Sequence, residues 1–417
     1  MKHRLVTLMA LFLMCQPIQA APPTGDLDGD GDVDFGDFLR FVQYFHTGRG
    51  DASYSPGADL NANGRIDQAD FLILSKAFGR DPLHALSKPA RKDIIWLEYP
   101  GNPVISSSDH RSYYPNLVAV GRHYRMYVDF ADIDAGAAPI VYRTDDGIHF
   151  TQIGVAEGLR HARHTKVIYE KRGFSPGYRF KIFYWDTSVR IYAPDAMRTA
   201  ESRDGIAWEN DRPLEGNFVS GISGQVNGGT YGPSTIFFNR SRKRLDPDHP
   251  LRNRYVMYYV ATTGAEERNA IAYSLDGTHF YYGGIALDIG GEGEWDARYA
   301  STATVIKNRG GYDMWYSGGV GDSNDGIGHA TSTNGLTFVR DSRNPLLTTE
   351  PGTWHAGRTY TPMVLKVRGR FLRGALGGRR PDYAMYASGV SDEGVYSIGL
   401  YVGALRGRKR ETLAAKQ

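Results

Sequence analysis

One strand motif, recurring five times, constrains this chain more than any other feature. It reads "HYRMYVD" from His123, "YRFKIFYWD" from Tyr178, "RYVMYYV" from Arg254, "GYDMWYSGG" from Gly311 and "DYAMYASGV" from Asp382. A second signature follows each of the first four: "IVYRTDDGIHF", "RTAESRDGIAW", "IAYSLDGTHF" and "GHATSTNGLTF". Asp-Gly or Asn-Gly ahead of an aromatic strand is a hairpin signal. A third element precedes each motif: "YPNLVAV", "HTKVIYE", "YGPSTIFF", "STATVIK" and "YTPMVLK". Each unit therefore reads strand, strand, hairpin, strand. Four-stranded units repeated five times predict a five-bladed β-propeller.

The fifth unit lacks its hairpin and its final strand. "IIWLEYPGNPVI" (94–105) aligns with "GLTFVRDSRNPLL" (335–347), with Trp96 over Phe338 and Asn102 over Asn344. The first strand is therefore expected to complete the last blade and close the ring, which leaves no open sheet edge.

Ahead of this domain lie two acidic loops. In "DLDGDGDVDFGD" the acids Asp26, Asp28, Asp30, Asp32, Asp34 and Asp37 hold positions 1, 3, 5, 7, 9 and 12, with Gly31 at position 6. In "DLNANGRIDQAD" the same places hold Asp59, Asn61, Asn63, Arg65, Asp67 and Asp70, with Gly64 at the turn. This is the ligand pattern of a calcium loop, with position 7 using its main-chain carbonyl. Apolar residues follow at helical spacing: Phe38, Leu39, Phe41, Val42 and Phe45, then Phe71, Leu72, Leu74 and Phe78. A duplicated loop-helix unit with Asp at position 12 resembles the dockerin module. The resemblance implies two Ca2+ ions, folding coupled to calcium, and a cohesin-type scaffold partner. The recognition pair at positions 10 and 11 departs from the family's Ser/Thr-like pattern, being Phe35-Gly36 and Gln68-Ala69.

The N-terminus carries Lys2, His3 and Arg4, an apolar stretch Leu5–Met14, then "PIQA". It reads as a secretory signal over 1–20, cleaved after Ala20, so the protein is expected to be secreted, extracellular or periplasmic, and attached to a scaffold or cell surface. The sole cysteine, Cys15, lies within it, so the mature chain has no disulfide and no thiol nucleophile. A net charge of +3 over 417 residues has no basic or acidic extreme, and neither nucleic acid nor a membrane span is expected of the mature chain. The expected order is a calcium module over 21–82, a linker over 83–92, the propeller over 93–407 and a basic tail over 408–417.

The hairpins and the "Y-x-M-W-Y-S-G" strand resemble the arabinanase, levansucrase and invertase superfamily, which includes glycoside hydrolase families 32, 43, 68 and 130. That resemblance implies a central funnel in which carboxylates from the first three blades act on a glycan, as glycoside hydrolysis requires. Here the expected places hold other residues. Blade one has Tyr114-Pro115, with Asp109 the nearest acid; blade two has His161, Arg163 and His164; blade three has Tyr231; blade four Arg298; blade five Arg358 and Tyr360. These would form a cationic, aromatic-lined cup for a polysaccharide or oligosaccharide carrying uronate or sulfate. Asp109, Asp186 and Glu294 are the candidate catalytic acids. Trp295 and Trp354 read as structural wedges. The leading expectation is a secreted, glycoside hydrolase-like protein; the alternatives are a glycan-binding propeller without hydrolysis and a structural adhesion protein.

Overall fold

The computed structural model describes residues 25–27, 33, 35–77, 94–107, 111–130, 138–193, 195–219, 228–239, 251–252, 254–308, 310–321, 324–369, 371–373 and 381–405. The expected signal, linker and basic tail lie outside these residues, as do Asp28, Asp30, Asp32, Asp34 and Asp109. The chain divides between Arg91 and Lys92 into two compact units.

In the first unit, helices α1 (Phe35–Tyr44) and α2 (Gln68–Ala77) start inside the two acidic loops. The closing acids Asp37 and Asp70 fall in their first turns, where a carboxylate meets the positive end of the helix dipole. Val33, Phe41, Ala58, Ile66 and Leu74 form a small buried core. The apolar runs do not all face inward: Leu39, Val42 and Leu72 are about half exposed, at 51%, 51% and 50%.

The second unit is almost entirely β. It opens with β1 (Ile94–Glu98) and β2 (Ile105–Ser106). The first sheet is β3 (Ser112–Val120), β4 (His123–Phe130), β5 (Ile140–Thr144) and β6 (Thr151–Val155). The second is β7 (Ala162–Tyr169), β8 (Phe180–Asp186), β9 (Met197–Ser202) and β10 (Trp208–Pro213). After the short β11 (Glu215–Gly216), the third sheet is β12 (Gly229–Asn239), β13 (Arg254–Thr262), β14 (Glu267–Ser274) and β15 (His279–Leu287). The fourth is β16 (Tyr299–Asn308), β17 (Gly311–Gly319), β18 (Gly326–Ser332) and β19 (Val339–Arg340), with β20 (Leu347–Thr348) also on β18. The fifth is β21 (Arg358–Lys366), β22 (Tyr383–Val390) and β23 (Tyr396–Leu405), with β1 antiparallel to β23 from Ile94 opposite Leu405 to Glu98 opposite Tyr401. First strands contact one another in order: β3 with β7, β7 with β12, β12 with β16, β16 with β21, and β21 with β3.

The recurring motif now has a physical meaning. Successive side chains of a strand point to opposite faces. Met126 therefore packs toward the fifth sheet while Tyr127 packs toward the second. Met257 faces the second sheet and Tyr258 the fourth; Met314 faces the third and Trp315 the fifth; Met385 faces the fourth and Tyr386 the first. Burying such a methionine stabilises by about 1.5–3 kcal/mol. The aromatic then binds the next hairpin: the hydroxyls of Tyr127, Tyr258 and Tyr386 donate to the carbonyls of Gly205, Gly335 and Gly147 at 2.9, 2.6 and 2.6 Å. Those hairpins share one hydrogen-bond pattern. In "SRDG", Ser202 Oγ accepts from Gly205 N at 2.8 Å while Asp204 accepts from Ile206 N and Ala207 N.

The aligned asparagines act alike. Asn102 accepts from Leu400 N at 2.8 Å and donates to Leu400 O at 3.0 Å; Asn344 does the same to His329 at 2.8 and 2.9 Å. The wedges are tight. A Cβ added to Gly318 or Gly328 would meet Trp295 at 2.3 and 2.6 Å, and one added to Gly389 or Gly399 would meet Trp354 at 2.3 and 2.1 Å.

Candidate functional site

Each first strand enters its sheet through a β-bulge. Pairing slips between Tyr113 and Asn116, Arg163 and Lys166, Thr230 and Gly232, Ser301 and Ala303, and Tyr360 and Met363. Bulges re-aim side chains and are enriched beside active sites. Tyr114, His164 and Thr361 hold φ of 51°, 50° and 50°, a left-handed region that costs about 1–3 kcal/mol for such residues. Neighbouring sheets hold these bulges in place. Tyr114 N donates to Ser388 Oγ at 3.1 Å and Thr361 N to Ser317 Oγ at 2.8 Å. The Thr165 hydroxyl donates to Asp129 at 2.6 Å. Burial pushes Asp129 up to about 6.

The bulges turn Tyr113, Tyr114, Arg163, His164, Tyr231 and Tyr360 toward one cavity of about 280 Å³. Arg111, Arg358, Trp185, Tyr396 and Glu267 complete its wall. Tyr114 lies against the His164 ring at 3.9 Å, Trp185 meets Tyr231 at 5.2 Å, and Arg358 sits over Tyr360 at 4.2 Å. Burial, then Lys166 and Arg163, holds the His164 imidazole well below its usual value, so it is neutral near neutral pH. Burial raises Glu267, against a Ser301 hydrogen bond and the Arg358 charge, so its carboxyl retains a proton to higher pH than an exposed one. Three guanidiniums thus face one carboxylate among the described residues. The Nε atoms of Arg163 and Arg358, Nδ1 of His164 and Nε1 of Trp185 are buried without a hydrogen-bond partner. Buried unpaired polar atoms are uncommon in native proteins, and four of them belong to residues of this one wall.

Six of the eight residues expected to bind substrate therefore line one cavity. His161 and Arg298 do not. His161 is exposed at a left-handed turn. Arg298 donates to the carbonyls of Ala265 and Gly321, both at 2.9 Å, and so ties loops together. Asp186 and Glu294 do not line the cavity either. Asp186 accepts from Ser188 N at 3.0 Å and caps its own turn, while Glu294 accepts from Gly291 N at 3.0 Å in a separate surface hollow. Asp296 pairs with Arg340 at 2.9 Å. Glu267 escapes a reading of the sequence because it does not lie ahead of a first strand. It opens a third strand, and it reaches the wall because its backbone bridges to Tyr299 at the start of β16. No local pattern in "AEERNAIAYS" marks it.

In the first unit, the second acidic loop takes the shape its spacing predicts. Asp59 accepts from Asn63 N and Gly64 N at 3.0 and 2.8 Å, and Asp70 from Asn61 N and Asp67 N at 3.1 and 2.9 Å. Gly64 has φ 89°, as the sharp turn requires. In the first loop, Asp37 accepts from Leu27 N. Asp59, Asn61, Asn63, Asp67, Asp70 and the Arg65 carbonyl would offer a bound ion oxygen alone, the chemistry that suits calcium.

Residues 24–79 match the dockerin type I domain family, whose members typically bind calcium. No curated protein matches the chain. Among solved structures, one described as a glycoside hydrolase is similar at TM-score 0.53 and 14% identity, covering 80% of this chain and 97% of its own. A glycosyl hydrolase from Bacteroides ovatus is similar at TM-score 0.50 and 13% identity, covering 78% and 96%. A GH62 hydrolase in complex with xylotriose is similar at TM-score 0.50 and 12% identity, covering 73% and 96%. At these identities the likeness is one of fold. The chain carries a dockerin type I domain at residues 24–79, followed by a five-bladed propeller with the fold of glycoside hydrolases.

Proposed function

We propose that this is a secreted protein, anchored to a cohesin-bearing scaffold through its dockerin, whose propeller cavity takes an anionic sugar of a polysaccharide. The observation that carries the reading is the cavity wall. Arg111, Arg163 and Arg358 surround it, and two of their buried Nε atoms have no partner. Guanidinium pairs bidentately with carboxylate and sulfate, and tyrosine faces suit sugar rings. The GH62 structure holds xylotriose, which supports a saccharide in this fold. Glu267, raised by burial, suits a proton donor to a leaving glycosidic oxygen. Asp109, two residues ahead of Arg111, is the candidate second carboxylate. A second reading, glycan binding without cleavage, is favoured by Glu267 being the one carboxylate among the described wall residues. The half-exposed Leu39, Val42 and Leu72 supply apolar surface for the cohesin.

In this reading residues 1–20 are the export signal, 21–82 the calcium module with two ions, 83–92 the linker, and β1 the strand that closes the ring. The test is a panel of neutral, uronate-containing and sulfated oligosaccharides, scored for binding and for new reducing ends. Binding of anionic members alone supports the reading, and new reducing ends select hydrolysis over binding. Equal binding of neutral members would refute it.

A further inference from the structure

The fourth and fifth sheets carry the same wedge, followed by different chemistry. After Trp295 comes Asp296, wholly buried, whose Oδ2 accepts from Arg340 Nε at 2.9 Å and from the Tyr316 hydroxyl at 2.8 Å. After Trp354 comes His355, and the residue aligned with Arg340 is Glu98 on β1. The pair is reversed in charge, yet it does not close: His355 Nε2 stands 3.7 Å from Glu98 Oε2. A second acid, Glu350, joins it, and ligand atoms of all three lie within 4.8 Å of one another.

His355 is 3% exposed, and its Nε2 has no hydrogen-bond partner. Its Nδ1 lies 2.9 Å from Thr359 Oγ1, whose own proton goes to the Thr348 or His355 carbonyl. With that hydroxyl donating to a carbonyl, Nδ1 is the donor to Thr359, and in this tautomer Nε2 turns a lone pair toward two carboxylates. The Tyr401 hydroxyl, opposite Glu98 in register, is also buried and unpartnered. Lone pairs and carboxylates converging on one point repel unless a cation sits among them. Glu98 Oε1 is already fixed by Trp354 Nε1 at 2.6 Å and Asn102 Nδ2 at 3.1 Å, which leaves Oε2 for that cation, oriented as outer hydrogen bonds orient metal ligands.

We propose that His355 Nε2, Glu98 and Glu350 hold a divalent transition-metal ion. Imidazole nitrogen with carboxylate oxygen suits zinc-like ions, whereas calcium takes oxygen alone. Tetrahedral zinc at about 2.0–2.2 Å from its ligands sets them about 3.4 Å apart, so the two exposed glutamates close inward on binding. The ion would staple β1 to the loop that leads into β21, with a coordination position left for water.

The test uses the full chain in excess Ca2+, so that the dockerin loops are filled, titrated with ZnCl2 in a calorimeter. One zinc per chain is expected, with a rise in the propeller's Tm. His355→Gln and Glu350→Gln should each weaken it beyond the roughly 10–100-fold typical of losing an outer-shell partner, and should abolish the rise in Tm. Glu350→Gln leaves the wedge and the strand pairing untouched, so it reports even if His355→Gln folds poorly. No zinc bound by the wild type, or unchanged zinc binding in Glu350→Gln, would overturn the proposal.

Discussion

In the dockerin, acids lie beside one another along the chain, from Asp26 to Asp37 and from Asp59 to Asp70; in the propeller, Arg111 just ahead of β3, Arg163 in β7 and Arg358 in β21 are far apart in the chain and meet only in space. Both places concentrate like charge, and both are set up for the opposite charge. They differ in what the charge costs. The acidic loops belong to a unit with a core of few residues, so their repulsion weighs on the whole unit. The arginines stand on a scaffold with five inter-sheet cores, which holds them in place with or without a ligand. The cation should therefore decide folding in one unit, and the anion should decide only binding in the other.

The largest effect expected from this contrast is on the dockerin. Chelation of calcium should remove hydrogen-exchange protection from α1 and α2 and leave the propeller's thermal transition where it was. Calorimetry should count two ions, and Asp59→Ala should leave one. Protection of both helices in chelator would break the comparison.

Next comes the cavity's acid, if the wild type releases reducing ends. Glu267→Gln should then lower kcat by about 10²–10⁴-fold, the range for a lost general acid. A general acid works while protonated, so turnover should fall as pH rises through the raised Glu267 value. Arg358 lowers that value, so Arg358→Gln should move the alkaline limb to higher pH. A limb that does not move would remove Glu267 from the role.

The arginines themselves should give a smaller loss. Arg163→Ala or Arg358→Ala should weaken an anionic oligosaccharide by about 1.5–3 kcal/mol each, the range for a hydrogen bond to a charged group. Wild-type binding should weaken as salt rises, and the variants should show a flatter dependence. Propeller stability should change little; a large drop in Tm would make these arginines structural.

The smallest effect concerns His164. Its folded pKa lies well below the unfolded value of about 6.5, so the unfolded chain binds the extra proton first. Its contribution to stability is present above that pH and is lost as pH falls below it. His164→Gln should flatten the acid limb of propeller stability by at most about one proton. An unchanged slope would show that another group titrates there.

Much of the fold could be read from the chain because its signals are local. Asp204-Gly205 makes its turn with atoms only a few residues apart, and Met126 and Tyr127 take opposite faces because strands alternate. Six cavity residues could be read because each precedes or occupies the bulge of a first strand. Arg298 and His161 satisfied the same rule and still lie elsewhere: Arg298 is drawn to the carbonyls of Ala265 and Gly321, and His161 stays exposed at a left-handed turn. Asp186 satisfied no cavity rule beyond being acidic near a strand end, and its turn uses it locally.

The sequence by itself determined the dockerin, the repeat number and the hairpins, since spacing along a chain fixes contacts between near neighbours. Tertiary structure alone decided that Glu267 faces Arg358 across a cavity and that Glu98, Glu350 and His355 converge. The reason is distance along the chain. Those groups are brought together by sheet packing and by the pairing of β1 with β23, and no short-range pattern encodes which side chains such packing places face to face.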